Sequence, residues 1–200
     1  MLVFTYRTKL ASLYSPRKTK PRQPIGNMKI EQRISSIRAI WSDVDGVLTS
    51  GGITYDNQGI ETKTFHVRDG LGIKLWQKVG HHFGIITARS SHIVKIRMNE
   101  LGVETVRQGA TNKLDVAQKL VAETGIPLSE ICYIGDDLSD LPLLANVGLA
   151  ATVADGVDEV KTACQIVTKA KGGQGAVREL VETILKKQQH WNEILQAYAA

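Results

Sequence analysis

Short apolar runs alternate with segments of helical periodicity from residue 37 onward, and this alternation restricts the fold more than any other feature of the sequence. Strands that alternate with helices along a chain form a mainly parallel sheet with helices on both of its faces. We therefore predict an α/β fold of the doubly wound, Rossmann-like type. The predicted strands are 37–43, 83–87, 103–107, 131–136, 147–151 and 165–168.

Helical segments lie between these strands, and several of them end at a glycine. Gly80, Gly102 and Gly125 stand where a left-handed residue commonly closes a helix. The predicted helices cover 69–79, 90–101, 112–124 and 138–146, and a last helix begins near Gly175 and runs past Trp191. Because 42% of the 200 residues are hydrophobic, we expect one domain with its own core, residues 28–200.

The segment of about 52–66 interrupts this alternation. Its turn-forming residues at 56–59 lie between two β-type runs, so we predict a β-hairpin inserted between the first strand and the first helix. An isolated hairpin is marginally stable in water, and we expect this one to pack on something, for example another subunit. The C-terminal part, about 175–200, carries an apolar stripe at near-helical spacing, and the glycine-rich segment before it is either a loop over a site or a flexible entry to the helix.

The net charge of +5 is concentrated in the N-terminal segment. Residues 1–27 contain six basic residues and no acidic one, so residues 28–200 carry the difference between +5 and +6, a net charge of −1. Three prolines and the lack of periodicity predict that this segment is disordered. It is a transit peptide, a basic arm that contacts polyanions, or a stretch translated from a start upstream of Met28. The near-neutral remainder argues against nucleic acid as a partner.

The sequence predicts a cytoplasmic protein that does not interact with membranes. No stretch approaches the about 18 consecutive apolar residues of a membrane-spanning helix, and the N-terminus lacks the apolar core of a secretory signal. Cys132 and Cys164 lie in apolar segments without metal-ligand spacing, so we interpret them as reduced thiols in the core.

Polar side chains follow the predicted strands at the edge of the sheet where parallel α/β folds bind ligands. Carboxylates gathered in such a crevice repel one another unless a cation lies among them, and oxygen ligands are those that Mg²⁺ prefers. With Lys113 and the hydroxyl of Thr87, a bound Mg²⁺ makes a pocket suited to a phosphoryl group. The residues at these positions are Asp43, Asp45, Thr87, Arg89, Lys113, Asp136, Asp137 and Asp140.

The sequences DVDGV, IIT, NK and GDDLSD resemble the four ordered motifs of the haloacid dehalogenase-like phosphohydrolases. The resemblance implies that Asp43 is the nucleophile and that Asp45 is first the general acid and then the general base. It also implies that Thr87 and Lys113 bind the phosphoryl oxygens. The implied Mg²⁺ ligands are Asp43, the carbonyl of Asp45 and Asp136, with Asp137 and Asp140 orienting metal-bound water and Lys113.

A narrower resemblance concerns the segments around the hairpin and the C-terminal glycines. DGVLTSGGITYDNQGIETKTFHVRDGLGI and KGGQGAVREL look like the 3-deoxy-D-manno-octulosonate 8-phosphate phosphatases, which lack a cap domain and form tetramers through their hairpins. This resemblance implies a homotetramer with no cap and an Mg²⁺-dependent hydrolysis of a sugar-acid phosphate. It further implies that Arg89 contacts the substrate. Arg68 is either a partner of the substrate carboxylate or a salt-bridging residue at a helix entry.

Two alternatives stay open. The substrate is either 3-deoxy-D-manno-octulosonate 8-phosphate or the nine-carbon 2-keto-3-deoxynononate 9-phosphate, which close relatives of this family hydrolyse. The other class is a non-catalytic oligomerisation module like those fused to nucleotide-sugar transferases. Such a module has no need of both Asp43 and Asp45, and this sequence retains them.

Overall fold

The computed structural model describes residues 29–199, so the predicted disordered segment 1–27 lies outside the described residues. The secondary-structure elements follow the predicted alternation. In chain order they are α1 (Ile30–Ser36), β1 (Ala39–Ser42), β2 (Thr54–Tyr55), β3 (Glu61–Thr62), α2 (Val67–Lys78), β4 (His82–Ile86), α3 (His92–Glu100), β5 (Thr105–Arg107), α4 (Lys113–Thr124), a 3₁₀ turn (Leu128–Glu130), β6 (Ile131–Gly135), a second 3₁₀ turn (Leu138–Asp140), α5 (Leu141–Leu144), β7 (Leu149–Thr152), α6 (Asp158–Ala163), β8 (Ile166–Val167), α7 (Ala176–Lys187) and α8 (Trp191–Ala199).

The described residues form one six-stranded sheet in the order β5-β4-β1-β6-β7-β8 and a separate two-stranded ribbon, β2-β3. Every pairing in the large sheet is parallel. From the central strand β1, the sheet continues through β4 and β5 on one side and through β6, β7 and β8 on the other. In open parallel sheets, ligands bind beyond the carboxyl ends of the strands at the point where the strand order changes direction in this way. The predicted α/β fold is therefore confirmed.

The helices cover both faces of the sheet, and the pleat of the strands divides the core between them. Along β1, Ile40 faces one apolar cluster while Ala39 and Trp41 face the other, as expected for a side-chain period of two. The first cluster packs under α1, α2, α3 and α7, and the second packs under α4, α5 and α6. Burial on both faces explains why the central strands are apolar throughout rather than alternating.

The C-terminal prediction of one continuous helix is wrong. The helix ends at Lys187, Gln189 adopts a left-handed conformation with φ 66°, and a new helix begins at Trp191. Side-chain hydrogen bonds from Gln188 to the carbonyls of Ile34 and Ile37 tie this break to the start of the sheet. The chain therefore turns here so that Ile194 of α8 can reach the first apolar cluster.

Other element boundaries also differ from the prediction. The predicted helix 138–146 is a 3₁₀ turn followed by the single-turn helix α5, because Pro142 and the Asp137 cap fix the local geometry. The helices α1 and α6 are short and were not predicted. The strands β1 and β6 end before Asp43 and Asp136, so both aspartates stand just past the sheet edge rather than within it.

The hairpin forms where it was predicted, with only two paired residues on each strand. The Asp56 carboxylate accepts hydrogen bonds from the backbone of Gln58 and Ile60 and closes its turn. Cys132 is buried, Cys164 is half-buried, and both are free thiols. None of the helices within residues 29–199 combines the length and the apolar composition that a membrane-spanning helix requires.

Candidate active site

The loop after β1 places Asp43 at the carboxyl edge of the sheet. Its backbone N–H continues the pairing with the Ile134 carbonyl at 3.0 Å, and its Oδ1 accepts a hydrogen bond from the Val44 N–H at 2.6 Å. The chain then turns at Gly46, whose φ of +90° is unfavourable for other residues. A Cβ at Gly46 would lie 1.9 Å from Oδ2 of Asp136, so this glycine lets the loop approach the end of β6.

Lys113 is a buried lysine that joins two carboxylates. It is the first residue of α4, directly after Asn112, whose side chain accepts a hydrogen bond from the backbone of Asp115. Its ammonium group lies 2.5 Å from Oδ2 of Asp43 and 2.5 Å from Oδ1 of Asp140. Because Lys113 is only 2% exposed, these two carboxylates supply the solvation that water cannot.

Asp140 is fully buried and connects four groups. Its Oδ1 accepts hydrogen bonds from Lys113 and from the Tyr133 hydroxyl at 2.6 Å, and its Oδ2 accepts from the N–H groups of Asp136 and Asp137. Asp137 is exposed, and its side chain accepts from the Leu138 N–H at 2.7 Å at the start of the 3₁₀ turn. Both aspartates were predicted to orient metal-bound water and Lys113. Asp140 contacts Lys113, whereas the Asp137 side chain caps the 3₁₀ turn.

The site carries an excess of buried negative charge. Burial raises the pKa of Asp43 above its ordinary value, although the Lys113 ammonium acts against this rise. Burial and then the charges of Asp140 and Asp43 raise the pKa of Asp136 to about 7. Burial alone would lower the pKa of Lys113, but the carboxylates of Asp43 and Asp140 outweigh it and the pKa is raised.

This arrangement fits a divalent cation bound by oxygen. One carboxylate oxygen from each of Asp43, Asp136 and Asp140 lies within 4.8 Å of the others. Protein donors already occupy both oxygens of Asp140, whereas the Asp136 carboxylate receives no hydrogen bond from residues 29–199. A cation beside Asp43 and Asp136 would relieve the repulsion that raises the pKa of Asp136, and the hard oxygen ligands suit Mg²⁺.

Two predicted site residues, Thr87 and Arg89, follow β4, and Arg89 forms an ion pair with Asp45. Thr87 is 2% exposed, and its N–H donates to the Arg107 carbonyl at 2.9 Å. The Arg89 guanidinium lies 2.9 Å from Oε1 of Glu61 and 3.5 Å from Oδ2 of Asp45. The structure therefore brings Arg89 to the site, where a carboxylate of the hairpin already pairs with it.

Lys63 is a residue of the site that the sequence reading missed. Its side chain is 1% exposed and forms an ion pair with Oδ1 of Asp45. A second carboxylate, Glu61, lies 3.4 Å from the same ammonium group. The spacing of Glu61 and Lys63 could have indicated that their side chains lie together, because residues two apart in an extended segment share one face.

The Arg68 side chain makes none of these contacts within the described part of the chain. It is exposed in the first turn of α2, and its side chain forms no hydrogen bond or ion pair within residues 29–199. The next residue, Asp69, is buried and accepts a hydrogen bond from the Arg178 N–H at 2.8 Å at the start of α7. Burial raises the pKa of Asp69, against the effect of backbone N–H groups of this helix start.

The glycine-rich segment 171–175 packs against the loop that carries Asp43 and Asp45. The Gly173 N–H donates to the Val47 carbonyl at 2.9 Å. A Cβ at Gly172 would lie 1.8 Å from the Gly46 carbonyl oxygen, so only glycine allows the two backbones to approach this closely. The segment is therefore part of the wall beside the acidic cluster.

Comparison with known proteins agrees with this geometry. Residues 105–180 match the haloacid dehalogenase-like hydrolase family. The 3-deoxy-D-manno-octulosonate 8-phosphate phosphatase of Yersinia pestis is 41% identical over 157 residues, which are 78% of this chain and 84% of that protein. The enzyme of the same name from Haemophilus influenzae is 38% identical over 159 residues, covering 80% of this chain and 88% of the relative.

The solved structures give the same result. The structure of the 3-deoxy-D-manno-octulosonate 8-phosphate phosphatase from Moraxella catarrhalis, in complex with a magnesium ion, a phosphate ion and a KDO molecule, superposes with a TM-score of 0.83. The two sequences are 39% identical, and the match covers 84% of this chain and 97% of that one. From its fold, its acidic site and these relatives, the chain belongs to the 3-deoxy-D-manno-octulosonate 8-phosphate phosphatase family of haloacid dehalogenase-like hydrolases.

Proposed function

We propose that the protein is an Mg²⁺-dependent phosphatase that hydrolyses the phosphate monoester of a 2-keto-3-deoxy sugar acid, 3-deoxy-D-manno-octulosonate 8-phosphate. The observation that carries the proposal is the contact of buried Lys113 with Asp43 beside the Asp136 carboxylate, which no hydrogen-bond donor of residues 29–199 contacts. The relatives that share this family name are similar to the chain over most of its length. A non-catalytic oligomerisation module would not require this buried cluster of charged side chains.

In the proposed mechanism Asp43 attacks the phosphorus atom. A carboxylate oxygen of Asp43 forms a bond to phosphorus, the bond from phosphorus to the sugar oxygen breaks, and Asp45 donates a proton to that leaving oxygen. Asp45 then removes a proton from water as the water oxygen attacks the phosphorus of the aspartyl phosphate. Inorganic phosphate leaves, Asp43 regains its carboxylate, and Asp45 is again protonated. The hydrogen bond from the Val44 N–H fixes the orientation of the Asp43 carboxylate before attack.

The remaining residues bind the phosphoryl group and the metal ion. The Lys113 ammonium and the Thr87 hydroxyl contact phosphoryl oxygens, and the contact between Lys113 and Asp140 keeps the ammonium directed into the site. Asp43, Asp136 and the backbone carbonyl of Asp45 are the proposed Mg²⁺ ligands. When bound, Mg²⁺ neutralises the acidic cluster and stabilises negative charge on the phosphoryl oxygens.

Two arginines are proposed to contact the sugar acid. Arg68 is exposed and its guanidinium is unpaired within residues 29–199, so it is available to bind a carboxylate with two parallel hydrogen bonds. Arg89 lies beside Asp45 and contacts the substrate from the side of the hairpin.

We further propose a cytoplasmic homotetramer that associates through the hairpin. Ile53, Tyr55 and Ile60 of the hairpin are each more than half exposed, as is Val67 at the start of α2. A ribbon with two residue pairs gains little stability of its own, and burying these apolar side chains against other subunits would stabilise it. The assignments of 1–27 as a disordered segment and of 28–200 as a single phosphatase domain, without nucleic-acid or membrane partners, remain predictions.

Phosphate release from purified protein tests the proposed function. With Mg²⁺, the wild type is expected to hydrolyse 3-deoxy-D-manno-octulosonate 8-phosphate with a larger kcat/KM than 2-keto-3-deoxynononate 9-phosphate. Asp43→Asn keeps the shape of the nucleophile but removes its reactivity, so it is expected to abolish release. The control Asp115→Asn, an exposed residue of α4, is expected to retain activity. Activity of the Asp43 variant, or no release by the wild type from either substrate, would contradict the proposal.

A further inference from the structure

The hairpin contributes two oppositely charged side chains to the site. Glu61 and Lys63 are two residues apart and share the face of the extended chain that is directed toward Asp45. The Lys63 side chain is 1% exposed, although lysine is rarely buried without a charged partner. Its partners are Oδ1 of Asp45 and, at 3.4 Å, Oε1 of Glu61.

A second cation contacts the other oxygen of Asp45. The Arg89 Nε lies 3.5 Å from Oδ2 of Asp45, and its Nη2 lies 2.9 Å from the same Glu61 oxygen that Lys63 approaches. The Tyr55 hydroxyl accepts a further hydrogen bond from Arg89 at 3.2 Å. The four charges therefore alternate around a closed ring, in which each carboxylate lies between the two cations.

This ring fixes the orientation of the Asp45 carboxyl group. Oδ1 is held by Lys63 and accepts a hydrogen bond from the Thr49 hydroxyl at 3.3 Å, while Oδ2 faces Arg89. Without Lys63, one oxygen would keep only the long Thr49 contact and the carboxyl group could rotate. A proton donor must lie at hydrogen-bond distance from the leaving oxygen, so rotation would reduce the productive fraction.

We propose that Lys63 is a positioning residue that orients Asp45 for proton transfer to the leaving oxygen, with Glu61 linking Lys63 to Arg89. The inference rests on the proposed function and gives the hairpin a role within each active site in addition to subunit association. Lys63 touches neither the phosphoryl group nor Mg²⁺ in this role, because it acts through Asp45.

Leaving groups of different acidity distinguish this role from a structural one. An alcohol oxygen of a sugar needs a proton as it departs, whereas p-nitrophenolate departs without one. The parameter kcat/KM reports only the steps up to departure of the leaving group, so the later role of Asp45 as a base does not affect it. Lys63→Met is expected to lower kcat/KM by on the order of 10²-fold for the sugar-acid phosphate and by less than about 3-fold for p-nitrophenyl phosphate.

Three variants complete the test. Asp45→Asn is expected to show the same selectivity with a larger loss, and Lys63→Arg to recover part of the activity. The exposed Lys74→Met is the matched control and is expected to behave as wild type. Thermal unfolding of each variant checks that it folds. If Lys63→Met does not fold, Glu61→Gln provides the same comparison with a smaller loss.

Two results would overturn the inference about Lys63. Equal losses on both substrates would indicate a structural role, and a rise in KM without a change in kcat would indicate direct substrate binding. The proposed function fails separately, through the absence of wild-type activity on the sugar-acid phosphate. In that case a series of aryl phosphates still tests Lys63, because its replacement should make log(kcat/KM) depend more steeply on the acidity of the phenol.

Discussion

Replacing Asp140 with asparagine removes the charge at the centre of the site while keeping the size of the side chain. In the wild type, one oxygen of Asp140 accepts from Lys113 and Tyr133, and the other accepts from two backbone N–H groups. An amide has only one oxygen, so its NH₂ group must face either the Lys113 ammonium or the N–H groups of Asp136 and Asp137. Both orientations place donors against donors in a fully buried position.

The expected loss of stability follows from these contacts. Removing one partner of a buried ion pair costs about 3–5 kcal/mol, and Lys113 keeps Asp43, so the charge contributes about 2–3 kcal/mol. Leaving a buried donor unsatisfied adds about 1–3 kcal/mol. We therefore expect Asp140→Asn to lower the free energy of unfolding by about 3–6 kcal/mol, a large part of the roughly 5–15 kcal/mol that stabilises a domain.

Urea unfolding followed by tryptophan fluorescence measures this change, because Trp41 and Trp76 are buried on opposite faces of the sheet. The experiment is done without Mg²⁺ at one fixed protein concentration. Tyr133→Phe is the matched control, since it removes one hydrogen bond to the same carboxylate and is expected to cost about 1 kcal/mol. A loss for Asp140→Asn no larger than that of Tyr133→Phe would show that the Asp140 charge does not stabilise the fold.

Three further predictions concern the cation, the half-buried His81 and the glycine-rich segment. Saturating Mg²⁺ should raise the free energy of unfolding of the wild type by about 1–3 kcal/mol and should barely change that of Asp136→Asn. Without Mg²⁺ at pH 8, Asp136→Asn should be more stable than the wild type, because it lacks the repelled carboxylate. Calorimetry of both proteins with and without Mg²⁺ checks this. Burial lowers the pKa of His81 in the folded state, so the free energy of unfolding should fall as the pH decreases from 7.5 through 6.5, the ordinary histidine pKa. Urea midpoints measured across this pH range should fall less in His81→Gln than in the wild type. Gly172→Ala should lose activity and at least about 2 kcal/mol of stability in urea titrations, because its Cβ would meet the Gly46 carbonyl, whereas Gly52→Ala has room and should lose little.

Much of the fold could be predicted because the relevant signals are local. Apolar runs and helical periodicity indicate the strands and helices, and Gly80, Gly102 and Gly125 indicate three helix ends, where all three adopt positive φ. The break at Gln189 could not be predicted, because it depends on hydrogen bonds from Gln188 to the carbonyls of Ile34 and Ile37, which are 154 and 151 residues away in the sequence.

The candidate site shows the same division between local and distant signals. Asp43 and Asp136 directly follow apolar strands, and parallel topology alone brings such positions together. Lys63 was missed because its partner Asp45 lies 18 residues away across the hairpin, and a lysine in a polar ribbon is ordinarily exposed. The four contacts of Asp140 likewise required the tertiary structure, since the sequence shows only an acidic residue in a turn.

Chemical trapping tests whether Asp43 forms a covalent aspartyl phosphate during turnover. Wild-type protein turning over 3-deoxy-D-manno-octulosonate 8-phosphate with Mg²⁺ is quenched rapidly in acid, treated with borohydride, and mapped by peptide mass spectrometry. Borohydride reduces an acyl phosphate of aspartate to homoserine, so we expect homoserine at position 43 only when both substrate and Mg²⁺ are present. Homoserine at a different aspartate, or its absence while phosphate is being released, would contradict the assignment of Asp43 as the nucleophile.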